Sequence, residues 1–328
     1  MITKAKRLVR WLLNLIRDSR DYCLSLISGV YLQQLIPDAK ITKPADIHMG
    51  VSGEARTESA RHPQKHPHIL ILVPCKDVAK FLPILESNLL GLTYPKHLLS
   101  IGFLEGDSKD NTYQVLQNIK QNLSESFAEV FLLQHSFAAE ELTQGSQRDS
   151  QRWKLRKQLK RRSIIAQVRN YLLEKCLNDK HQWVLWVDSD VIHWENDCIQ
   201  QLLSFNKDIL VPHCVREDNG RTFDLNSFKY KDDKRRNWRT YLRDGLIQPP
   251  VGYGRLYLED FPEHDLVSLD GLGGTMMLVK ADIHRQGLIY PDYILHKHIE
   301  TEALAFMARD MGYECWGTPQ VTIVHPIY

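Results

Sequence analysis

The sequence predicts an α/β fold in which a mostly parallel sheet is flanked by helices. Short apolar runs recur between residues 69 and 324, and such continuous runs are typical of strands buried on both faces. Segments with helical spacing of apolar residues separate them, and this strand–helix alternation indicates parallel strands. The 328 residues, 43% of them hydrophobic and 25% charged, suffice for one large core and have the composition of an ordinary globular protein.

The individual elements follow in order from residue 69. Apolar runs predict strands at 69–73, 99–104, 130–133, 183–187, 209–211, 275–279 and 321–324. Apolar residues at helical spacing predict helices at 81–90, 111–119, 152–177, 198–205 and 301–311, and Gly312 is placed to end the last of these. Residues 214–270 are polar and rich in Asp, Arg and Gly, which predicts long loops and a hairpin over the active face.

The N-terminal part is predicted to be separate from this fold. Residues 1–36 form a helical extension, and a linker punctuated by Pro and Gly covers 37–67, so that the main domain is 68–328. Basic residues surround Trp11 and Leu12, which is typical of an amphipathic helix on a membrane surface; packing on the protein's own core or on a partner fits the pattern equally. The uncharged stretch 22–36 has 15 residues, against roughly 20 for a helix that spans the hydrocarbon. We therefore expect a cytoplasmic protein with peripheral membrane contact.

Charge and cysteine usage exclude some classes of partner. The formal net charge is +2, so no nucleic-acid partner is expected. The segment Arg152–Arg162 carries seven basic residues and no acidic one, which fits a solvated helix face or a surface for an anionic donor, acceptor or lipid headgroup. Six cysteines lie scattered without a CxxC pair, which favours buried, reduced thiols over a disulfide framework or a zinc site.

The sharpest motif is the run WVLWVDSD at 183–190, in which an apolar strand ends in Asp188 and Asp190. Open α/β sheets bind ligands at the carboxyl ends of their strands. Two carboxylates at i and i+2 can point to the same side and suit Mg²⁺ or Mn²⁺, which neutralises charge on a departing diphosphate. A pair of exposed aspartates that caps a turn is the structural alternative.

Other strand ends carry candidate binding residues for a nucleotide. The first strand ends in a polar turn with Pro74 and Lys76, and the second ends in Glu105 and Asp107. In a doubly wound sheet these turns are natural nucleotide sites, and an acidic side chain there can receive a ribose hydroxyl or the base. The pair Arg169 and Asn170 lies on the long helix shortly before the Asp188 strand, from which Arg169 can approach the diphosphate. A plain turn and a solvent-facing helix residue are the alternatives.

Three further motifs follow in the C-terminal third of the sequence. In the run DGLGGT, Gly273 and Gly274 indicate close backbone approach to a ligand, with a flexible turn as the alternative. The run HIETE begins a helix, where the carboxylates also interact favourably with the helix dipole. His325 follows the last strand and suits a third metal ligand. The candidate catalytic acids are Asp190, Asp270, Glu300 and Glu302.

These segments together resemble the fungal mannan-polymerase subunits of the Anp1/Mnn9/Van1 family. The resemblance covers about residues 70–325 in unbroken order. It is carried by ILVPCKD (71–77), LEGDSKDNT (104–112), RRSIIAQVRNYLL (161–173), WVLWVDSDV (183–191), NKDILVPHC (206–214), DLNSF (224–228), GLGGTMMLVKADIHRQG (271–287) and HIETEALAFMARDMGYECWGTP (298–319).

The resemblance implies a GT-A glycosyltransferase fold and a Mn²⁺-dependent, retaining transfer of an α-mannosyl residue from GDP-mannose. A glycan or lipid-linked sugar would be the acceptor, and a homo- or hetero-oligomer the assembly. It implies metal ligands at Asp188, Asp190 and His325, and a base and ribose end at Glu105 and Asp107. Family members are Golgi type II membrane proteins, a topology that residues 1–36 do not favour.

A retaining mechanism needs no obligatory general base, so Glu300 and Glu302 are interpreted as acceptor- or sugar-binding groups. Two other functions remain as alternatives. A haloacid-dehalogenase-type phosphatase also places Asp-x-Asp after a buried strand, with the first Asp as nucleophile. A non-catalytic, carbohydrate-binding subunit with the same fold is the second alternative.

Overall fold

A computed structural model describes residues 66–137, 155–231, 238–243 and 245–327. The predicted N-terminal helix at 1–36 and nearly all of the predicted linker at 37–67 lie outside these residues and stay predictions. No helix in the described part of the chain is both long and apolar enough to cross a membrane.

Within the described residues, every predicted strand and helix overlaps an observed one. The strands are β1 (Ile69–Cys75), β2 (Leu99–Glu105), β3 (Glu129–Gln134), β4 (Trp183–Val187), β5 (His193–Trp194), β6 (Ile209–Arg216), β7 (Phe228–Tyr230), β8 (Leu242–Arg243), β9 (Leu246–Ile247), β10 (Arg255–Tyr257), β11 (Val267–Ser268), β12 (Met276–Lys280) and β13 (Trp316–His325). The helices are α1 (Leu82–Gly91), α2 (Thr112–Ser124), α3 (Leu155–Cys176), α4 (Cys198–Ser204), α5 (Ala281–Arg285) and α6 (Glu300–Asp310).

Among the described residues, nine strands form one sheet in the order β11-β13-β6-β12-β4-β1-β2-β3, with β5 paired to β13. β1, β2, β3, β4, β6 and β13 run in the same direction, whereas β5, β11 and β12 run against them. The predicted mostly parallel sheet is therefore confirmed. The antiparallel β12 begins at the edge where its neighbours β4 and β6 end, so the glycine-rich run before β12 lies beside Asp188.

Side chains of alternate residues in β1 enter two separate cores, one on each face of the sheet. Ile69, Ile71 and Val73 pack with α1, α2 and α4 on one face, and Leu70 and Leu72 pack with α3, α5 and α6 on the other. This is the period-2 pattern of a strand with both faces covered, and it explains why the strands read as continuous apolar runs. The predicted flanking helices are thus confirmed on both faces.

Helix α3 lies very close to β1 and β2. A methyl group added at Gly102 of β2 would come within 2.8 Å of the Cys176 sulfur on α3 and within 2.9 Å of Leu72 on β1. The absence of a side chain at Gly102 therefore sets the distance between helix and sheet. That close approach brings Arg169, in the middle of α3, to the carboxyl edge of the strands.

The sequence predicts long loops and a hairpin over residues 214–270. Residues 214–270 contain the short hairpin of β8 and β9 and a two-stranded sheet of β7 and β10, in place of loops alone.

The five cysteines in the described residues are buried and unbonded, as expected for reduced thiols: Cys75, Cys176, Cys198, Cys214 and Cys315.

Candidate active site

The carboxyl ends of β4, β6 and β13 meet at one edge of the sheet. Asp188 and Asp190 follow β4, and His325 is the last residue of β13. Pro74 lies in β1 just beyond Leu72, the last residue that pairs with β4. Since proline has no backbone N–H to donate, it is tolerated where the neighbouring strand has ended. The strands therefore separate at this edge, and the two aspartates emerge at the gap.

Asp190 and His325 form the first pair of the site. Oδ1 of Asp190 lies 3.3 Å from Nε2 of His325, and the His325 side chain is only 4% exposed. Nδ1 of His325 lies 2.8 Å from the carbonyl oxygen of Pro326, and the ring of Phe223 stacks on the imidazole at a centroid distance of 3.6 Å. Because the carbonyl can only accept, Nδ1 carries a proton and donates it, which leaves Nε2 facing the carboxylate.

Asp188 and Arg169 form the second pair. Nη2 of Arg169 donates a hydrogen bond of 2.8 Å to Oδ1 of Asp188 and a weaker one of 3.3 Å to the carbonyl oxygen of Gly274. The Arg169 side chain is 5% exposed, and its guanidinium lies 5.0 Å from the centre of the Tyr290 ring. Its other nitrogens face the Tyr290 side chain and, at 3.9 Å from Nη1, the carboxylate of Glu300. A buried cation thus lies next to the aspartates.

Carboxylates are crowded together at this edge of the sheet. Burial raises the pKa of Asp188, and the carboxylates of Asp190 and Asp224 raise it further against the opposing effect of Arg169. Burial lowers the pKa of His325, but the hydrogen bond and charge of Asp190 outweigh burial and leave it raised. Both shifts have one physical cause, the crowding of carboxylates in a poorly solvated place. A bound cation would relieve this crowding.

The run of glycines before β12 packs tightly against other side chains of the site. A methyl group at Gly273 would lie 1.8 Å from Oδ2 of Asp224, and one at Gly274 would lie 2.5 Å from Nη1 of Arg169. Asp224 accepts a hydrogen bond of 3.0 Å from the Thr275 hydroxyl. The sequence predicts that Gly273 and Gly274 approach a ligand closely. In the structure they lie against Asp224 and Arg169, and the absence of glycine side chains lets these two residues reach the Asp188 side of the sheet.

Glu300 joins the site from the start of α6. Its Oε2 accepts a hydrogen bond of 3.4 Å from Nε of Arg162, and its Oε1 lies 3.9 Å from Nη1 of Arg169. Its φ angle of 59° is left-handed, a conformation that costs energy for a residue with a long side chain and that clusters at functional sites. Arg162, the last residue of the predicted basic run, therefore faces this buried carboxylate.

Glu302 points away from Glu300 and into a different buried network. Its Oε2 lies 2.7 Å from Nδ1 of His298, and its Oε1 accepts a hydrogen bond of 3.3 Å from Nη1 of Arg255. Burial raises the pKa of Glu302, but His298, Arg162 and Arg255 together lower it to about 2. These partners occupy both oxygens of the carboxylate, so Glu302 holds the start of α6 in place.

Two other predicted site residues also serve the scaffold. Asn170 accepts a 2.9 Å hydrogen bond from the Tyr290 amide and donates one of 2.8 Å to the Tyr290 carbonyl, so it positions this segment. Asp270 accepts a 2.7 Å hydrogen bond from the Tyr230 amide, and its backbone carbonyl accepts one of 2.9 Å from Arg309. A contact of Asn170 with the donor and a catalytic role for Asp270 stay predictions.

The turns after β1 and β2 are joined by their own polar side chains. Lys76 donates to the carbonyl oxygen of Asp107, whose carboxylate accepts hydrogen bonds of 2.6 Å from Ser136 and 2.8 Å from the Phe137 amide. Glu105 is 3% exposed and accepts hydrogen bonds of 2.9 Å from the Ser108 amide and from Gln134. Lys76, Glu105 and Asp107 thus shape the predicted nucleotide turns, and any direct contact of theirs with a nucleotide stays a prediction.

The donor atoms at this edge fit a divalent cation in part. Two ligands held about 2.1 Å from one octahedral ion lie about 3 Å apart, close to the 3.3 Å between Asp190 and His325. Among the described residues, however, no group of three or more His, Cys, Asp or Glu side chains is placed to hold one ion. Asp188, predicted with Asp190 and His325 as a metal ligand, faces Arg169. An ion here would therefore take its remaining ligands from substrate and water.

Sequence reasoning missed three residues of the site. Asp224 lies in the segment DLNSF that carried the resemblance, but its contact with Gly273 spans a chain separation that no local pattern shows. Phe223 and Arg162 contact the site through His325 and Glu300. The one available signal was the place of Asp224 in DLNSF, because a lone Asp does not show which residues are its neighbours in space.

Comparison with known sequences identifies the family. The sequence pattern of the Anp1 family matches residues 53–294, well over half of the chain. The chain belongs to the Anp1 family. This excludes the phosphatase alternative, because the Asp188 motif is matched as part of the Anp1 pattern.

Anp1 relatives include named subunits of mannan polymerase complexes. The Schizosaccharomyces pombe mannan polymerase complex subunit mnn9 is 32% identical over 82% of this chain and 83% of its own length. The S. pombe mannan polymerase II complex anp1 subunit is 32% identical over 78% of this chain, but the match covers only 63% of that relative. The Saccharomyces cerevisiae ANP1 subunit is 31% identical over 80% of this chain and 55% of its own length.

Solved structures resemble this Anp1 chain more loosely. The mannosyltransferase PcManGT from Pyrobaculum calidifontis, in complex with GDP-Man and Mn²⁺, gives a TM-score of 0.47 with 14% identity, over 82% of this chain and 59% of that one. A similarity at this level does not show that the Anp1 chain binds the same sugar donor or the same metal.

Proposed function

We propose that this chain is a metal-dependent glycosyltransferase that transfers an α-mannosyl or related hexosyl residue from a nucleotide sugar such as GDP-mannose. The acceptor is a glycan or a lipid-linked sugar, and the product retains the donor's configuration. The observation that carries this proposal is the pairing of Asp190 with His325 at 3.3 Å, directly beside the buried Arg169. The site thus combines ligand atoms for a cation with donors for an anion.

Asp190 and His325 would hold Mn²⁺ or Mg²⁺ at the edge of the sheet. A bound ion of this kind neutralises charge that develops on the departing diphosphate. The Pro326 carbonyl holds the proton on Nδ1 of His325, which keeps Nε2 available as a ligand. Phe223, stacked on the ring, fixes its orientation.

Arg169 would bind the donor's diphosphate from the other side. Its Nη2 atom is held by Asp188, which fixes the guanidinium at the edge of the sheet where the donor would bind. This fixed positive charge beside Asp188 supports an anionic ligand there. A guanidinium suits phosphate oxygens because its planar donors match their geometry.

Glu300 would bind or orient the acceptor. Its carboxylate lies close to Arg162 and Arg169, which hold it at the edge where an acceptor hydroxyl would bind. In the proposed retaining reaction the departing diphosphate can take the acceptor's proton. The strained backbone of Glu300 is the kind of feature that pre-organises a site.

Assembly and location extend this proposal. The relatives named above are subunits of complexes, so we propose that this chain acts with other subunits. Peripheral membrane contact through the basic segment around Trp11 is proposed from the sequence alone.

The test is calorimetric titration of the full chain with GDP-, UDP-, ADP- and CMP-sugars, each with and without Mn²⁺. We expect GDP-mannose to bind at least about tenfold more tightly with Mn²⁺ than without it, a difference of about 1.4 kcal/mol. Transfer to a mannoside acceptor should then require the same ion.

Two results would contradict the proposal. Binding of no nucleotide sugar under any condition would favour the non-catalytic subunit with a glycosyltransferase fold. Tight donor binding that is the same with a chelator present would reject metal dependence. Asp208→Asn is the matched control variant, because Asp208 precedes β6 at the opposite edge of the sheet. Among the described ion pairs, its carboxylate contacts only the exposed Lys280.

A further inference from the structure

Three aromatic rings pack against one another where β3 ends. The rings of His135 and Tyr171 are stacked, with centroids 4.4 Å apart and an angle of 15° between their planes. The Phe137 ring lies 4.7 Å from His135 and 5.8 Å from Tyr171, nearly perpendicular to both. We call His135, Phe137 and Tyr171 the aromatic platform.

The packing of the aromatic platform leaves one face of the His135 ring open. Tyr171 covers the other face. The distance of 5.8 Å between Phe137 and Tyr171 is too short for these two rings to lie on opposite faces of His135, so Phe137 packs at its edge. His135 is also an exposed residue. The aromatic platform therefore presents a flat ring face to solvent.

The aromatic platform is fixed to the turn that follows β2. Both carboxylate oxygens of Asp107 hold the segment, since Oδ1 accepts a 2.6 Å hydrogen bond from Ser136 and Oδ2 one of 2.8 Å from the Phe137 amide. A methyl group at Gly106 would lie 3.0 Å from the His135 carbonyl oxygen and 3.4 Å from the Phe137 ring. The turn predicted to receive a nucleotide thus touches the aromatic platform directly.

The aromatic platform also lies at a suitable distance from the proposed metal site. The strands β4, β1, β2 and β3 are neighbours in this order and run parallel, so their carboxyl ends share one edge. Three strand spacings place the end of β3 about 14 Å from Asp188 and Asp190 at the end of β4. An extended nucleoside diphosphate covers this span. Its diphosphate would lie beside Arg169, and its base would lie beside Tyr171 on the same helix.

We propose that the open face of His135 stacks on the nucleobase of the donor. The proposal rests on the proposed transferase function and names the side chain that contacts the base. Every nucleobase has a flat aromatic face, on which aromatic side chains, histidine included, stack in proteins that bind nucleotides. Tyr171 and Phe137 hold the imidazole in one orientation, so little conformational entropy is lost when a base binds.

The experiment is calorimetric titration of the full chain with GDP and with inorganic pyrophosphate, both in the presence of Mn²⁺. Pyrophosphate offers the two phosphates without a base. We expect GDP to bind His135→Ala at least about tenfold more weakly than the unmodified chain, and pyrophosphate to bind both chains equally. His135→Phe keeps a flat ring at this position and should restore the affinity for GDP.

His97→Ala is the matched control, because His97 is an exposed histidine that precedes β2 at the opposite edge of the sheet. It should bind GDP as the unmodified chain does, and urea unfolding should show that all three variants fold. Equal loss of GDP and pyrophosphate binding in His135→Ala would overturn the proposal. A His135→Phe variant as weak as His135→Ala would also overturn it, because stacking requires only the ring.

The same titrations separate this proposal from the proposed function. GDP binding that His135→Ala leaves unchanged rejects the stacking role alone. GDP binding that depends on His135 but stays the same with a chelator supports the stacking role and rejects the metal-dependent transferase. Absence of GDP binding by the unmodified chain rejects both.

Discussion

Arg169 donates a 2.8 Å hydrogen bond to the carboxylate of Asp188, and this partly buried ion pair joins the middle of α3 to the end of β4. Burial lowers the pKa of Arg169, but Asp188 and Glu300 raise it above its ordinary value, so the guanidinium stays charged. A fixed positive charge therefore lies beside a cluster of carboxylates. The predictions below follow from this arrangement and from its neighbours.

Asp190→Asn should keep the fold and abolish the Mn²⁺-dependent part of donor binding. An amide is a weaker ligand for a hard cation than a carboxylate and compensates none of its charge. We expect the gain in GDP-mannose affinity on adding Mn²⁺ to fall from at least about tenfold to none, measured by calorimetry. His325→Gln should have the same effect, and Asp208→Asn should retain the full gain. Unchanged metal dependence in both site variants would reject this metal site.

Gly274→Ala should weaken donor binding by displacing Arg169. The added methyl group would lie 2.5 to 2.6 Å from the two terminal nitrogens of the guanidinium, which must then move away from Asp188. Such overpacking typically costs about 1–3 kcal/mol of stability. Urea unfolding and donor titration should both show the loss.

Gly91→Ala is the control for that substitution, because its methyl group would meet only the flexible side chain of Asn196 and no residue of the site. Donor binding by Gly274→Ala that equals that of the unmodified chain would show that the position of Arg169 is not critical.

Glu302→Gln should destabilise the fold much more than it affects chemistry. The substitution leaves the buried Arg255 without its counter-charge, and removal of one partner from a buried ion pair typically costs about 3–5 kcal/mol. Urea unfolding would measure the loss. The exposed Glu314→Gln is the control and should be close to neutral. A loss below about 1 kcal/mol would contradict the role given to this network.

The Glu302 carboxylate also predicts how the free energy of unfolding depends on pH. The pKa of Glu302 is about 2 in the folded protein against an ordinary value of 4.5. Its stabilising contribution is therefore complete above pH 4.5 and is lost as the pH falls from 4.5 towards 2. Unfolding free energies measured across this range should fall less steeply for Glu302→Gln than for the unmodified chain.

Glu300→Gln should raise the acceptor's KM more than it lowers kcat. A group that binds the acceptor shows its loss in this way, whereas loss of a general base costs roughly 10²–10⁴-fold in rate. Steady-state kinetics with Mn²⁺ would distinguish the two, with exposed Glu125→Gln as the control. NMR of the product should show that the α configuration is kept. A β linkage would instead make Glu300 the leading candidate for the base.

The strands and the metal motif could be predicted because their signals are local. The strands read as unbroken apolar runs since both faces are covered, and WVLWVDSD shows a buried strand and its terminal carboxylates in eight consecutive residues. Glu300 and Glu302 illustrate the limit. They are two residues apart at the start of one helix, and no local pattern assigns one to the site and the other to a buried network with Arg255 and His298.

The sequence by itself determined the family, the α/β fold class, the order of its elements and the strand end that carries the aspartates. Only the tertiary structure decided which carboxylate faces His325 and which faces Arg169, and that Gly273 and Gly274 make room for Asp224 and Arg169. The physical reason is distance along the chain. Asp190 and His325 lie 3.3 Å apart, yet they are brought together by the pairing of separate strands, and that pairing depends on the whole sheet and both of its cores.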